Sequence, residues 1–207
     1  MTLPGAGSAC HDGGVEPVDL GIDRLELRAG RLLVSAPTLV DPNFARTIVL
    51  LLDTDEDGTL GVILNRPSEV AVGEVLESWA EVVGEPDVLF RGGPVGTDSA
   101  LAVARLAEGP EPVGWRPLFD GTGLIDLDTP REVIAPALHG MRIYAGYAGW
   151  GAGQLEAEVE EGAWYVVAGA PDDLFDATPD GLWRRVLRRQ PEPLSWLATY
   201  PADPTQN

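Results

Sequence analysis

The chain has 207 residues, 44% of them hydrophobic, and a formal net charge of −19 from 33 acidic against 14 basic residues. Every basic residue is Arg, which excludes a P-loop Lys, a Schiff-base Lys and a Lys general base; the acidic balance argues against generic DNA binding, where Lys and Arg neutralise phosphates. There is no apolar run of about eighteen residues and no signal-like start, so export and membrane insertion are not expected and a cytoplasmic location is.

Residues 1–22 are rich in Gly and Pro and read as a disordered leader, ahead of a single domain over 23–200 and a frayed tail over 201–207. The lone cysteine, Cys10, lies in that leader, so no intrachain disulfide can form, and His11 and His139 are too far apart for zinc spacing. LRAGRLLVSAP opens the fold, with Leu32, Leu33 and Val34 as the first strand. In DPNFAR, Asp41 suits a cap and Pro42 the first position of a single helical turn.

The stretch DTDEDGTLGVIL, from Asp53 to Leu64, starts like an EF-hand calcium loop, with Asp53, Asp55, Asp57 and Gly58 in place. The closing position is Leu64, which has no oxygen to offer, and both flanks read as strands where an EF-hand needs helices. A hairpin with an acidic turn is expected instead, from about Thr47 to Asn65. VGEVLESWAEVVG, with Val72, Val75, Leu76 and Trp79 at helical spacing, predicts a short amphipathic helix. VLFRGGPVG and SALAVARL predict strands around a Gly-Pro turn. EGPEPVGWRPLFDGTG reads as a loop, a candidate flexible insertion before the brief strand LIDLD. MRIYAGYAG predicts a strand running into a Gly-rich turn, GQLEAEVEEG a helix ending at Gly162, and AWYVVAGA a strand. PDGLWRRVLRRQ predicts a helix with Leu182, Trp183, Val186 and Leu187 on one face, and PLSWLATYP a last short one.

Few patterns here carry chemistry. The glycines of GYAGWGAGQ sit between a strand and a helix as in a dinucleotide fingerprint, but Gln154 stands where a small residue is required and no βαβ alternation surrounds it. A less specific anion site at that helix start remains an alternative to a tight turn with Trp150 in the core. RGGPVG can form an anion nest with Arg91 as charge partner, or simply a turn. NRP places Asn65 and Arg66 at a strand end, where they can hold a carboxylate or satisfy loop carbonyls. The chain lacks a G-x-S-x-G elbow, and Glu156 with Glu160 reads as an exposed helical face. The only basic patch, Arg184, Arg185, Arg188 and Arg189, suits a solvated outer face favoured by the helix dipole, with a nucleic-acid contact as the alternative.

Taken jointly, LVSAPTLVDPNFARTIVLLL, GTLGVILNRP, FRGGPV and GYAGWGAGQLEAEV with AWYVVAG resemble the AlgH/YqgE family of bacterial proteins over roughly residues 30–190. The resemblance implies an α+β fold, a mostly antiparallel β-sheet curled into a barrel-like core with helices packed outside, in keeping with the strand-rich reading. It implies no established reaction, and brings only a label of transcriptional regulator. The positions that match the family pattern are Pro42, Phe44 and Arg46, then Asn65, Arg66 and Pro67, then Gly92, Gly93 and Pro94, and finally Gly149, Trp150, Gly151, Gln154, Glu156 and Trp164.

The expected function is a non-enzymatic binding or regulatory module whose surface gathers the NRP, GGP and GWGxGQ turns around an unknown small molecule or protein partner. Two alternatives stand beside it. One is DNA contact, direct through the Arg face or through a partner; the other is an enzyme using Arg46 or Arg66 with Glu156 on a small anionic substrate. No cofactor or metal is expected.

Overall fold

The computed structural model describes residues 26–201; the leader read over residues 1–22 and the end of the chain beyond Pro201 lie outside the described residues. Ten strands make a mostly antiparallel sheet: β1 (Arg31–Ser35), β2 (Ile48–Asp55), β3 (Gly58–Ile63), β4 (Pro67–Ala71), β5 (Val88–Arg91), β6 (Val95–Leu106), β7 (Trp115–Phe119), β8 (Thr122–Ile125), β9 (Leu138–Gly151) and β10 (Trp164–Ala168). Neighbours run β10-β1-β2-β3-β9-β6-β8-β7, while β4 pairs with β5. The one parallel pairing among them joins β5 to β9 through Phe90↔Tyr144 and Arg91↔Ala145. The sheet curls into a half-barrel.

The alternation of side chains along the strands sorts the core into layers. Leu32, Val34, Ile48, Leu50, Val62 and Leu64 join one cluster, and the intervening Leu33, Val49, Leu51 and Ile63 join another. Because both faces of β2 are covered, IVLLL is a continuous apolar run, buried at every position from Ile48 to Leu52. Helix α4 (Leu182–Arg188) covers the first cluster through Leu182, Trp183, Val186 and Leu187. Helix α3 (Gln154–Glu160) covers the second through Leu155 and Val159. A third cluster lies around Ala102, Ala104, Met141 and Ile143, capped by Val72, Trp79 and Ile134, the last from helix α2 (Arg131–Ile134).

The acidic link is the two-residue turn of the expected hairpin. Asp55 Oδ1 accepts from the amides of Asp57 (2.9 Å) and Gly58 (3.1 Å), so its oxygen closes the turn. Three expectations need correction. The helix predicted after Ala71 is cut short: α1 spans only Val72–Val75, Leu76 leaves helical geometry at φ −132°, and a 3₁₀ turn carries Trp79 into the core. The predicted loop over EGPEPVGWRPLFDGTG contains β7 and its hairpin to β8, turned by Asp120 (φ 42°) and Gly121 (φ 69°), the positive-φ pair of a primed turn. Lastly, Gly149, Trp150 and Gly151 are not a turn but the end of β9, paired with Leu60, Thr59 and Gly58. None of the described helices is long and apolar enough to cross a membrane.

Candidate functional site

Two of the predicted turns meet. NRP leads from β3 into β4 and RGGP starts at the last residue of β5, and the Arg91 amide donates to the Arg66 carbonyl at 2.8 Å, bringing the two arginines side by side. Between them lies a cleft of about 530 Å³, in the size range of small-molecule sites. Its polar lining includes Asn43, Arg66, Ser68, Glu69, Arg91 and Thr97; its apolar lining includes Pro42, Ile63, Val70, Leu89 and Pro94, over the buried Phe90. Gly92 and Gly93 let the turn press onto β9. A β-carbon at Gly92 would stand 2.2 Å from the Gly146 carbonyl oxygen, and one at Gly93 2.2 Å from that of Tyr147.

The backbone amides of Arg91 and Gly92 are spent on Arg66 and Ala145, so the charged donors lining the cleft are the guanidiniums of Arg66 and Arg91, beside the neutral side chains of Asn43, Ser68 and Thr97. Arg66 donates from one Nη to the Ala45 carbonyl. Burial lowers its pKa, Asp180 acts in the opposite sense, and Arg91 lowers it further. Among the described residues the ion pairs belong to Arg131, Arg185 and Arg189, so neither Arg66 nor Arg91 is neutralised by a contacting carboxylate. A third guanidinium lies behind the floor. Arg142 of β9 is 2% exposed, stacks 4.1 Å over the Phe90 ring, and donates to the carbonyls of Leu174 (2.8 Å), Asp176 (3.0 Å) and Glu85 (3.1 Å). Burial lowers its pKa, and burial likewise raises that of neighbouring Tyr144.

The remaining candidates take other places. Asn65 is 3% exposed and its side-chain amide is bonded at both ends, accepting from the Ile48 amide and donating to the Arg46 carbonyl, both at 2.9 Å. Arg46, at a positive φ of 56°, sends its guanidinium to the carbonyls of Tyr200 and Pro201 and lies 4.8 Å over Trp183. Burial, and then Arg184, lower its pKa. Gly149, Trp150, Gly151, Gln154 and Glu156 do not line the cleft. Trp150 belongs to the second core cluster, and its indole donates to Glu158 Oε2 (3.0 Å), as does the indole of Trp164 (2.9 Å). Gln154 donates to Glu158 Oε1 (3.0 Å) and accepts from the Gly151 amide (3.1 Å). Glu156 is exposed.

The chain is matched over most of its length by known proteins, in sequence and in fold. The family described as AlgH-like (DUF179) matches residues 32–195. The chain belongs to the AlgH-like family. Its relatives include UPF0301 protein SCO2948 of Streptomyces coelicolor, 54% identical over 191 residues, which are 90% of this chain and 99% of the relative. A UPF0301 protein of Mycobacterium tuberculosis is 46% identical over 184 residues, covering 87% of this chain and 91% of that one. Among solved structures, protein DIP2367 of Corynebacterium diphtheriae superposes with a TM-score of 0.82 at 34% identity, over 87% of this chain and 96% of that one. The solution structure of the AlgH protein of Pseudomonas aeruginosa gives 0.62 at 29% identity, over 84% and 94%.

In this AlgH-like chain the basic face of α4 is partly consumed. Arg185 binds Asp176 and the Thr178 carbonyl, and Arg189 binds Asp173, while Arg184 and Arg188 are exposed. Two polar centres were absent from the candidates read in the sequence. Glu158 stands one helical turn after Gln154, a spacing visible in the sequence but hidden within the acidic run EAEVEEG. Arg142 lies in β9 among Met141, Ile143 and Tyr144, all buried, and nothing local in the sequence distinguishes it from an outward-facing arginine.

Proposed function

We propose that this AlgH-like protein is a cytoplasmic, non-enzymatic binding or regulatory module whose ligand is an anion held in the cleft between NRP and RGGP. One observation carries the reading: in a chain with a net charge of −19, Arg66 and Arg91 line one concave site with no contacting carboxylate among the described residues. A guanidinium beside another is disfavoured by mutual repulsion, and an incoming anion relieves it while accepting paired hydrogen bonds. Arg142 beneath Phe90 adds positive potential from a region where water screens poorly.

The test is a thermal-shift screen of the purified protein with small carboxylates, inorganic phosphate and nucleotides. An anion at about a hundred times its Kd should add about 2.7 kcal/mol of stability. The shift should be saturable and vanish in the Arg66→Gln/Arg91→Gln variant. Persistence in that variant would place the ligand elsewhere. DNA contact through α4 is the weaker reading, since Arg185 and Arg189 are already held by carboxylates.

A further inference from the structure

The cleft has a composition that selects among anions. Among the described residues its lining sets two guanidiniums against a single carboxylate, that of Glu69, one net positive charge within the lining, with Asp180 acting on Arg66 from outside it. The amides of Arg91 and Gly92 are committed to Arg66 and Ala145, so two of the backbone donors that a phosphate-binding turn would use are already engaged. Much of the remaining wall is hydrocarbon, and Val70, 39% exposed, presents an apolar surface to water at the cleft. Small-molecule sites combine an apolar enclosure with a few placed polar groups that fix orientation.

Resting on the anion-site reading above, we infer that the ligand class is a small monocarboxylate with an apolar body, an aryl or branched alkyl acid. Its carboxylate bridges Arg66 and Arg91, and its carbon skeleton lies toward Val70 and Leu89. A neutral analogue of the same shape loses the charge-assisted hydrogen bonds, and a bare anion loses the apolar contact.

The experiment is an NMR titration of isotopically labelled full-length protein with phenylacetate, phenylacetamide, acetate and inorganic phosphate, following the amides of Ser68 and Thr97. Phenylacetate should perturb both saturably and bind more tightly than acetate, with phenylacetamide inert. Arg91→Gln, a change at an exposed side chain, should weaken phenylacetate by about tenfold or more. Val70→Ser should weaken phenylacetate and leave acetate unchanged; thermal unfolding establishes that both variants are folded. Phosphate binding without phenylacetate binding would overturn the monocarboxylate and leave the anion site standing. Perturbation by phenylacetamide equal to that by phenylacetate, or phenylacetate binding unaltered in Arg91→Gln, would overturn it as well. Silence from all four compounds at these amides, together with a flat anion screen, would overturn both readings.

Discussion

At the scale of single residues, the cleft and its supports separate by what each side chain is already doing. Asn65 has its donor and its acceptor bound to backbone, whereas Arg91 is exposed and carries no ion pair among the described residues. Asn65→Ala would strand the buried Ile48 amide and release the Arg46 carbonyl. It is expected to cost about 2–4 kcal/mol in urea unfolding, because an unmade buried hydrogen bond loses the full desolvation energy of the group. Arg91→Gln should stay within about 0.5 kcal/mol of the parent, as surface substitutions usually do. A similar loss from both would mean that Arg91 is structural and would remove the main support for an anion site.

At the scale of elements, two connections carry testable weight. The β7–β8 turn has Gly121 at φ 69° with nothing near the position of an added β-carbon, so Gly121→Ala is penalised by backbone conformation alone. The expected cost is about 1 kcal/mol, and hydrogen exchange should quicken in β7 and β8 before any other pair. In the segment leading to α4, burial acts to raise the Asp176 pKa, but the Thr178 amide and hydroxyl and the Arg185 guanidinium outweigh it and hold the carboxyl below its ordinary range. A lowered folded pKa gives a stabilisation that is complete above the unfolded value and is lost as pH falls through the folded one. Asp176→Asn should therefore cost about 1–2 kcal/mol at neutral pH and flatten the acid limb of a stability profile taken by urea unfolding across that range.

For the molecule as a whole, β9 is the shared member. Its later residues pair with β3, and its earlier ones pair with β5 on one edge and β6 on the other, so one long strand joins the two halves of the curled sheet. Arg142 secures this strand to chain segments far away in sequence by donating to Glu85, Leu174 and Asp176. Arg142→Met would retain much of the stacking on Phe90 but leave three carbonyls without their donor. A loss of about 3 kcal/mol is expected, with faster exchange around residues 173–177 and little change in the β7–β8 hairpin.

Much of this was legible in the residues themselves. Alternation and β-branched runs located β1, β2, β3 and β10, the helical stripe of Leu182, Trp183, Val186 and Leu187 located α4, and the joint motifs identified the family. These signals are local: side-chain period and turn chemistry depend on neighbours in the chain. The β7–β8 hairpin was locally encoded too, in Asp120-Gly121, but the surrounding Gly and Pro obscured it. What only the tertiary structure decided is which turns share a surface. NRP and RGGP meet because β5 lies parallel to β9 and the Arg91 amide reaches Arg66, whereas GWGxGQ runs on along β9 and is absorbed by Glu158 and the core. The sequence by itself determined the family and the elements with a clean local period; the curl of the sheet, built from pairings between distant strands, determined that two arginines stand together with no contacting carboxylate among the described residues.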